Sequence, residues 1–75
     1  MNIEDRVLNS VKGVLDKRPE VTLDSRLLED LLVDSLDKLM ILSAIEDEFG
    51  LEIEEKFADV HTVKDIVVKL KARGY

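Results

Sequence analysis

Apolar residues recur at helical spacing near the start of the chain. They lie three or four positions apart and form one stripe: Ile3, Val7, Leu8, Val11, Val14 and Leu15. This spacing predicts an amphipathic helix over about residues 3–17. Asn2 is placed to cap its first turn. Because Pro19 disfavours the helical conformation in the residue before it, the helix is predicted to end near Lys17.

The clearest pattern predicts a second helix from Ser35 to Phe49. Asp34 stands at the N-cap position, and Gly50 is placed to end the helix in a left-handed conformation. A helical wheel groups five apolar residues on the face that we predict to be buried: Leu39, Ile41, Leu42, Ile45 and Phe49. The opposite face is both apolar and acidic, and it carries Leu36, Met40 and Ala44 with Asp37, Ser43 and Asp47.

The rest of the chain predicts one more main helix and two connections. Thr62 is placed to cap the last helix, whose core stripe is Val63, Ile66, Val67 and Leu70. The connection over about residues 19–33 contains apolar residues that predict anchoring to the core, with a helical turn near residues 26–31. A short helix is predicted over residues 54–60. The predicted fold class is an all-α bundle of three main helices plus one short helix, with a long loop between the first two.

Length and composition limit the fold and the chemistry. The 75 residues are 45% hydrophobic, which is enough for one packed core and predicts a single domain over residues 1–75. No cysteine is present, so the chain has no disulfide, no thiolate metal site and no thiol of its own. No signal peptide is recognisable, and no apolar run approaches the roughly 20 residues that span a bilayer. We expect a cytoplasmic protein without stable membrane insertion.

Negative charge is concentrated in one part of the chain. The formal net charge is −6. The segment from Glu29 to Asp59 holds eleven acidic residues against two basic ones, Lys38 and Lys56. This field repels phosphate backbones, which argues against nucleic-acid binding, and it attracts basic protein partners. A solvated acidic face that only keeps the protein in solution is the open alternative.

Ser35 is the candidate for chemistry. A serine in the first turn of a helix is exposed, and the backbone N–H groups around it lack partners within the helix. A phosphodiester formed on this serine would lie at the positive end of the helix dipole, which favours an anion. Taken alone, the tripeptide Asp34-Ser35-Leu36 favours an ordinary helix start.

Three motifs in one order change that interpretation. They are Glu29-Asp30-Leu31, Asp34-Ser35-Leu36-Asp37 and Ile45-Glu46-Asp47-Glu48-Phe49. With Thr62-Val63 at the start of the last helix, the sequence resembles the acyl carrier proteins of fatty-acid and polyketide synthesis over nearly its whole length. The resemblance implies that Ser35 receives 4′-phosphopantetheine from coenzyme A, through a phosphopantetheinyl transferase. The product would be a phosphoprotein of lipid metabolism whose terminal thiol holds acyl groups as thioesters.

The resemblance also implies that the protein is a monomeric carrier, with no catalytic residue and no metal site. Its partners would be acyl-transferring and chain-elongating enzymes with basic docking patches. Seven residues are candidates for docking them: Asp34, Leu36, Asp37, Met40, Ser43, Glu46 and Asp47. Five others are candidates for an acyl pocket: Leu42, Ile45, Phe49, Phe57 and Ile66. Scattered exposed apolar residues and plain core packing are the respective alternatives.

The sequence departs from the common family pattern at three positions. Leu32 stands where many members have glycine. Because a positive φ would strain a leucine, we expect the loop to follow another path there. Lys38 and Met40 stand where familiar fatty-acid carriers often have a neutral and an acidic residue. These changes favour the hypothesis of a specialised lipid or polyketide pathway.

Three other functions are compatible with parts of the sequence. A hydrolytic triad could be drawn from Ser35, His61 and an aspartate, but nothing in their spacing supports it. A cofactor-free acidic helical module for protein interaction would explain the exposed apolar residues but leaves Ser35 without a role. An aminoacyl carrier of the D-alanyl type is similar in the apolar run over residues 31–33, whereas Asp37 favours the acyl type.

Overall fold

The computed structural model describes residues 2–15, 20–53 and 60–75. Within these ranges the chain forms helices α1 (Ile3–Val14), α2 (Ser35–Phe49) and α3 (Val63–Ala72). Helix α1 packs against both α2 and α3, and aliphatic side chains from all three fill the core. The predicted all-α fold class is confirmed. The short helix predicted over residues 54–60 lies outside the described residues, apart from its last residue, Val60, which is buried.

Side-chain caps fix the starts of α1 and α2. The Asn2 side chain accepts a hydrogen bond from Asp5 N at 2.8 Å, and Asp34 Oδ1 accepts one from Asp37 N at 2.8 Å. Each bond satisfies an N–H group that has no partner within its helix. Helix α2 ends at Gly50, which has a φ of 64° in the left-handed region. The predicted caps and the predicted bounds of α2 are confirmed.

Helix α1 is shorter than predicted. Its last residue is Val14, and Leu15 leaves the helical conformation with φ −109° and ψ 42°. Leu15 is buried in the core, so the residue that follows the helix still packs its apolar side chain inward. Residues 16–19, which supported the prediction of an end near residue 17, lie outside the described residues.

A reciprocal capping box fixes the start of α3. Thr62 Oγ1 accepts a hydrogen bond from Asp65 N at 3.1 Å, while Asp65 Oδ2 accepts from Thr62 N at 3.0 Å and from His61 N at 2.9 Å. The bond from His61 N is the main cause that lowers the pKa of Asp65 below its ordinary value. Because the pKa of Asp65 is lower in the folded state than in the unfolded state, its ionised carboxylate stabilises the fold at pH values above the unfolded-state pKa. That contribution is lost as the pH falls through the folded-state value.

The long loop before α2 is anchored to the core, as predicted. Its buried side chains are Val21, Ser25, Leu27, Leu31 and Val33. Its backbone also pairs with the chain ahead of α3, because Leu27 N donates to His61 O at 2.8 Å and Arg26 forms an antiparallel bridge with Thr62. This pairing holds the loop beside the first turn of α3.

A tight turn over residues 26–31 leads towards α2. Asp30 N and Leu31 N both donate to Arg26 O, at 3.0 and 3.1 Å. The Asp30 carboxylate closes the turn, accepting from Arg26 N at 2.8 Å and from the Arg26 guanidinium at 3.2 Å. The side-chain bond from Arg26 lowers the pKa of Asp30. The predicted turn is confirmed, and Asp30 has a structural role in it.

The prediction that Leu39 faces the core is wrong. The other four residues assigned to that face of α2 are buried, but Leu39 is 55% exposed. Leu39 lies two positions before Ile41, which is a rotation of about 200° on an α-helix, so the two side chains point to opposite sides. The buried face of α2 is therefore narrower than the helical wheel predicted. Leu39 instead lies beside Leu36 and Met40, which are exposed as predicted.

The expectation that the loop avoids a positive φ at Leu32 is also wrong. Leu32 has a φ of 55°, in the region that favours glycine. Its neighbours Leu31 and Val33 are both buried, and Val33 N donates to Leu27 O at 2.8 Å. The backbone therefore turns sharply at Leu32 so that the residues on either side reach the core, while the Leu32 side chain is left exposed.

Leu32→Gly is expected to raise the free energy of unfolding by about 0.5–1 kcal/mol. A left-handed conformation costs an L-residue about 1–2 kcal/mol, which glycine avoids. Glycine also raises the conformational entropy of the unfolded chain, and this reduces the gain in stability by about 0.4–1 kcal/mol. Denaturant unfolding measures the change. Leu32→Ala is the control, because it removes the exposed side chain but keeps Cβ, and we expect it to be nearly neutral. An equal gain in both variants would assign the effect to the side chain and not to the backbone.

Candidate functional site

Ser35 is the first residue of α2, and its side chain is exposed. The cap of the helix is provided by Asp34, whose Oδ1 accepts from Asp37 N. Within the part of the chain that the structure describes, no hydrogen bond engages the Ser35 hydroxyl. Asp34 therefore caps the helix, and the hydroxyl of Ser35 is left available.

The electrostatics at Ser35 combine opposing contributions. The first turn of α2 is the positive end of the helix dipole, which favours an anion by about 0.3–1 kcal/mol at a surface site. Asp34 and Asp37 flank the serine, and Glu29 lies near it on the loop side. Their charges oppose a second anion. Lys38, one turn into α2, supplies a positive charge.

A cavity of ≈ 280 Å³ lies beside Ser35. Helix α2, the preceding loop and the chain ahead of α3 line it with Leu27, Leu28, Glu29, Val33, Asp34, Ser35, Lys38, Val60 and His61. Four of these side chains are aliphatic and the others are polar. The cavity can thus receive a slender group of mixed polarity that starts at the Ser35 hydroxyl.

The structure brings Ser35 and His61 to the same cavity, although they are far apart in sequence. Within the described residues, the His61 ring forms no hydrogen bond with the Ser35 hydroxyl or with a carboxylate. The main-chain atoms of His61 are engaged, with its N–H bound to Asp65 and its carbonyl bound to Leu27 N. His61 therefore contributes to the loop pairing through its backbone.

The candidate docking residues fall into two groups. Asp34, Leu36, Met40, Ser43 and Asp47 are exposed, and Asp37 is half-buried. Glu46 is half-buried as well, and its Oε2 accepts a hydrogen bond from Ile53 N at 2.8 Å. Glu46 thus fixes the chain that follows α2.

The exposed face of α2 carries more apolar surface than the sequence predicted. We define the α2 strip as Leu36, Leu39 and Met40, which lie at helical spacing on one side and are all exposed. Leu28 and Leu32, in the loop before α2, are exposed as well. Sequence reasoning missed Leu28, Leu32 and Leu39 here. The spacing of Leu39 from Leu36 and Ile41 was the signal that could have placed it.

Four of the five candidates for an acyl pocket lie in the core. Leu42, Ile45, Phe49 and Ile66 are buried, and none of them lines the cavity beside Ser35. Phe57 lies outside the described residues. The Phe49 ring is covered by the Arg6 guanidinium, 4.2 Å from its centroid, and meets the Tyr75 ring edge-on at 5.6 Å. Phe49 thus packs the junction of α1, α2 and the C-terminus.

Neither a metal site nor a membrane-spanning helix is found among the described residues. No group of three or more histidine, aspartate or glutamate side chains lies where it could hold a metal ion. None of the three helices has the length and apolar character needed to cross a membrane.

The chain is similar to known proteins over most of its length. Residues 5–68 match the model of a family described as a phosphopantetheine attachment site. Proteins named acyl carrier protein from Rickettsia canadensis (strain McKiel), Rickettsia massiliae (strain Mtu5) and Rickettsia prowazekii (strain Madrid E) are each 38% identical to it over 73 residues. Each match covers 95% of this chain and 85% of the relative.

Proposed function

This chain belongs to the acyl carrier protein family, and we propose that its 4′-phosphopantetheine arm is attached to the Ser35 hydroxyl. Members of this family are carriers and not enzymes. The observation that carries the proposal is the exposed hydroxyl at the start of α2, left without a hydrogen bond within the described residues because Asp34 caps the helix. The proposal treats residues 1–75 as one carrier domain.

The residues at the site fit the arm. Attachment forms an Oγ–P bond at Ser35 while a P–O bond in the pyrophosphate of coenzyme A breaks. The nucleotide leaves with the electrons of that bond, and the hydroxyl proton passes to the transferase. When bound, the arm supplies a terminal thiol that holds acyl groups as thioesters. This thiol is the group that the chain lacks, since it contains no cysteine.

The other serines are less suitable. Ser25 is buried, and its Oγ accepts from Thr22 N at 2.9 Å. The Ser10 hydroxyl donates to Arg6 O on α1 at 3.0 Å. Ser43 is exposed but lies in the middle of α2, where backbone N–H groups are used by the helix itself. Within the described residues, which include all four serines, Ser35 is the one whose exposed hydroxyl has no hydrogen bond and lies at a helix start.

The experiment that tests this assignment is mass spectrometry. The purified protein, first checked to be unmodified, is incubated with coenzyme A, Mg²⁺ and a broad-specificity phosphopantetheinyl transferase. We expect the intact mass to rise by one phosphopantetheine and fragmentation to locate it on Ser35. A gain at another residue, or no gain, would contradict the assignment.

We further propose that basic patches on the transferase and on acyl-transferring and chain-elongating enzymes dock on the α2 strip. The strip is exposed and flanked by the acidic side chains of Asp34, Asp37 and Asp47. Acidic groups at the rim steer a basic partner to the site, while apolar groups provide burial after contact. Ser43 and Glu46 lie along the same helix and remain candidates for the edge of this surface.

Leu36→Ala is expected to weaken binding of the unmodified protein to the transferase by about 5- to 30-fold, because a buried leucine contributes about 1.5–3 kcal/mol and alanine keeps part of it. Surface plasmon resonance measures the dissociation constant. Val68→Ala on α3 is the control, since Val68 is 54% exposed and Leu36 is 64% exposed. Equal weakening in both variants would argue against docking on the α2 strip.

The pathway is a separate proposal. Met40 exposes an apolar side chain on the α2 strip, and Lys38 adds a positive charge within an acidic region. Both features support a specialised lipid or polyketide pathway, whose enzymes would meet a less acidic helix than familiar fatty-acid carriers present. A cytoplasmic location and a monomeric state stay predictions from the sequence.

A further inference from the structure

Lys38 is the one lysine or arginine among the described residues that line the cavity beside Ser35. It lies three positions after Ser35, so the two residues are neighbours on one face of α2. Side chains on an α-helix lean towards its N-terminus, which is the direction of Ser35. The Lys38 side chain is half-buried.

The Lys38 ammonium is not committed to another group in the described chain. Glu29 and Asp34 line the same cavity, yet neither forms a salt bridge with Lys38. The carboxylate of Asp34 is already bound to Asp37 N. A cation beside an exposed hydroxyl, with no ion pair of its own there, is placed to meet an anion attached to that hydroxyl.

We infer that Lys38 is a positioning residue that holds the phosphodiester at the base of the arm, an inference that rests on the proposed function. The phosphodiester adds a negative charge next to Asp34 and Asp37, which repel it. The Lys38 ammonium offsets that repulsion and donates a charge-assisted hydrogen bond to a phosphodiester oxygen. The base of the arm is then held against α2 on the cavity side.

A base at position 38 is compatible with this acidic region both before and after attachment of the arm. Before attachment, Lys38 lowers the negative charge around Ser35. After attachment, it compensates the new anion, so the start of α2 tolerates the modification. His61, the other nitrogen-bearing side chain of the cavity, lies on the chain ahead of α3 and not on the helix that carries Ser35.

The test compares unmodified and phosphopantetheine-bearing forms of four proteins: the parent, Lys38→Met, Lys38→Arg and Lys64→Met. Lys64 is an exposed lysine on α3 that does not line the cavity. Intact mass confirms loading of each protein, and thermal unfolding at low salt gives the shift in Tm on loading. We expect the shift to be roughly 1–5 °C less favourable in Lys38→Met than in the parent, as for one surface ion pair in a domain of this size.

Two further measurements separate a charge contact from a general structural effect. High salt is expected to reduce the difference between parent and Lys38→Met, because it screens an ion pair that solvent can reach. The ³¹P resonance of the loaded protein is expected to move in Lys38→Met and to keep its parent position in Lys64→Met. Lys38→Arg retains the charge and is expected to keep the parent shift in Tm.

The outcomes distinguish the inference from the proposed function. Failure of the parent to gain mass would overturn both. Normal loading with the same shift in Tm and the same ³¹P resonance in parent and Lys38→Met would overturn the role of Lys38 alone. If Lys38→Met does not fold, Lys38→Gln provides the same comparison with a polar, neutral side chain.

Discussion

Ser35→Ala is expected to abolish loading of the protein with phosphopantetheine, and with it all thioester formation. The substitution removes Oγ, the atom to which the arm is proposed to be attached, and the chain has no cysteine thiol to replace the one lost. The helix cap does not depend on this hydroxyl, because Asp34 Oδ1 accepts from Asp37 N. We therefore expect the free energy of unfolding to change by no more than about 0.5 kcal/mol.

Intact mass after incubation with an acyl-coenzyme A and the transferase measures the loss. Ser10→Ala is the matched control, because among the described residues the Ser10 hydroxyl donates to Arg6 O on α1, away from the cavity. It is expected to load like the parent. Normal loading of a folded Ser35→Ala protein would reject Ser35 as the attachment site, whereas an unfolded variant would show that the hydroxyl stabilises α2 in a way the hydrogen bonds do not indicate.

Ile45→Ala is expected to lower the free energy of unfolding by about 2–5 kcal/mol, a large share of the total of about 5–15 kcal/mol typical of a domain. Ile45 is fully buried in the core cluster of α1, α2 and α3. The substitution removes buried methyl and methylene groups and leaves a cavity that the surrounding core side chains cannot fill without moving. Urea unfolding followed by far-UV circular dichroism measures the change.

Leu39→Ala is the control on the same helix. Because Leu39 is largely exposed, we expect a change within about 0.5 kcal/mol. The pair of variants tests which face of α2 is inward. A cost for Leu39→Ala as large as that for Ile45→Ala would mean that α2 is rotated relative to the arrangement described here.

The helix ends that neighbouring residues fix could be predicted from the sequence. Caps such as Asn2, Asp34 and Thr62 act on N–H groups two or three positions away, so their effect can be read without knowing the fold. Gly50 ends α2 for a similarly local reason, since it adopts a left-handed conformation at no steric cost. Ser35 could be singled out because it lies next to one of these caps.

The features that sequence reasoning missed depend on contacts between distant segments. The cavity beside Ser35 needs the pairing of Leu27 with His61, which no periodic pattern encodes. The positive φ of Leu32 follows from burying the residues on both sides of it. The error at Leu39 has another origin, because a helical wheel does not show how wide a stripe the neighbouring helices cover.

The capping of α2 by Asp34 matters for a protein that is loaded and unloaded repeatedly. A carrier passes through several chemical states as different groups are loaded and removed. Because the bond from Asp37 N goes to Asp34 and not to Ser35, none of these states has to break a bond that holds α2 together. Successive enzymes can therefore meet the same helix in the same place, and what distinguishes one state from the next is the cargo itself.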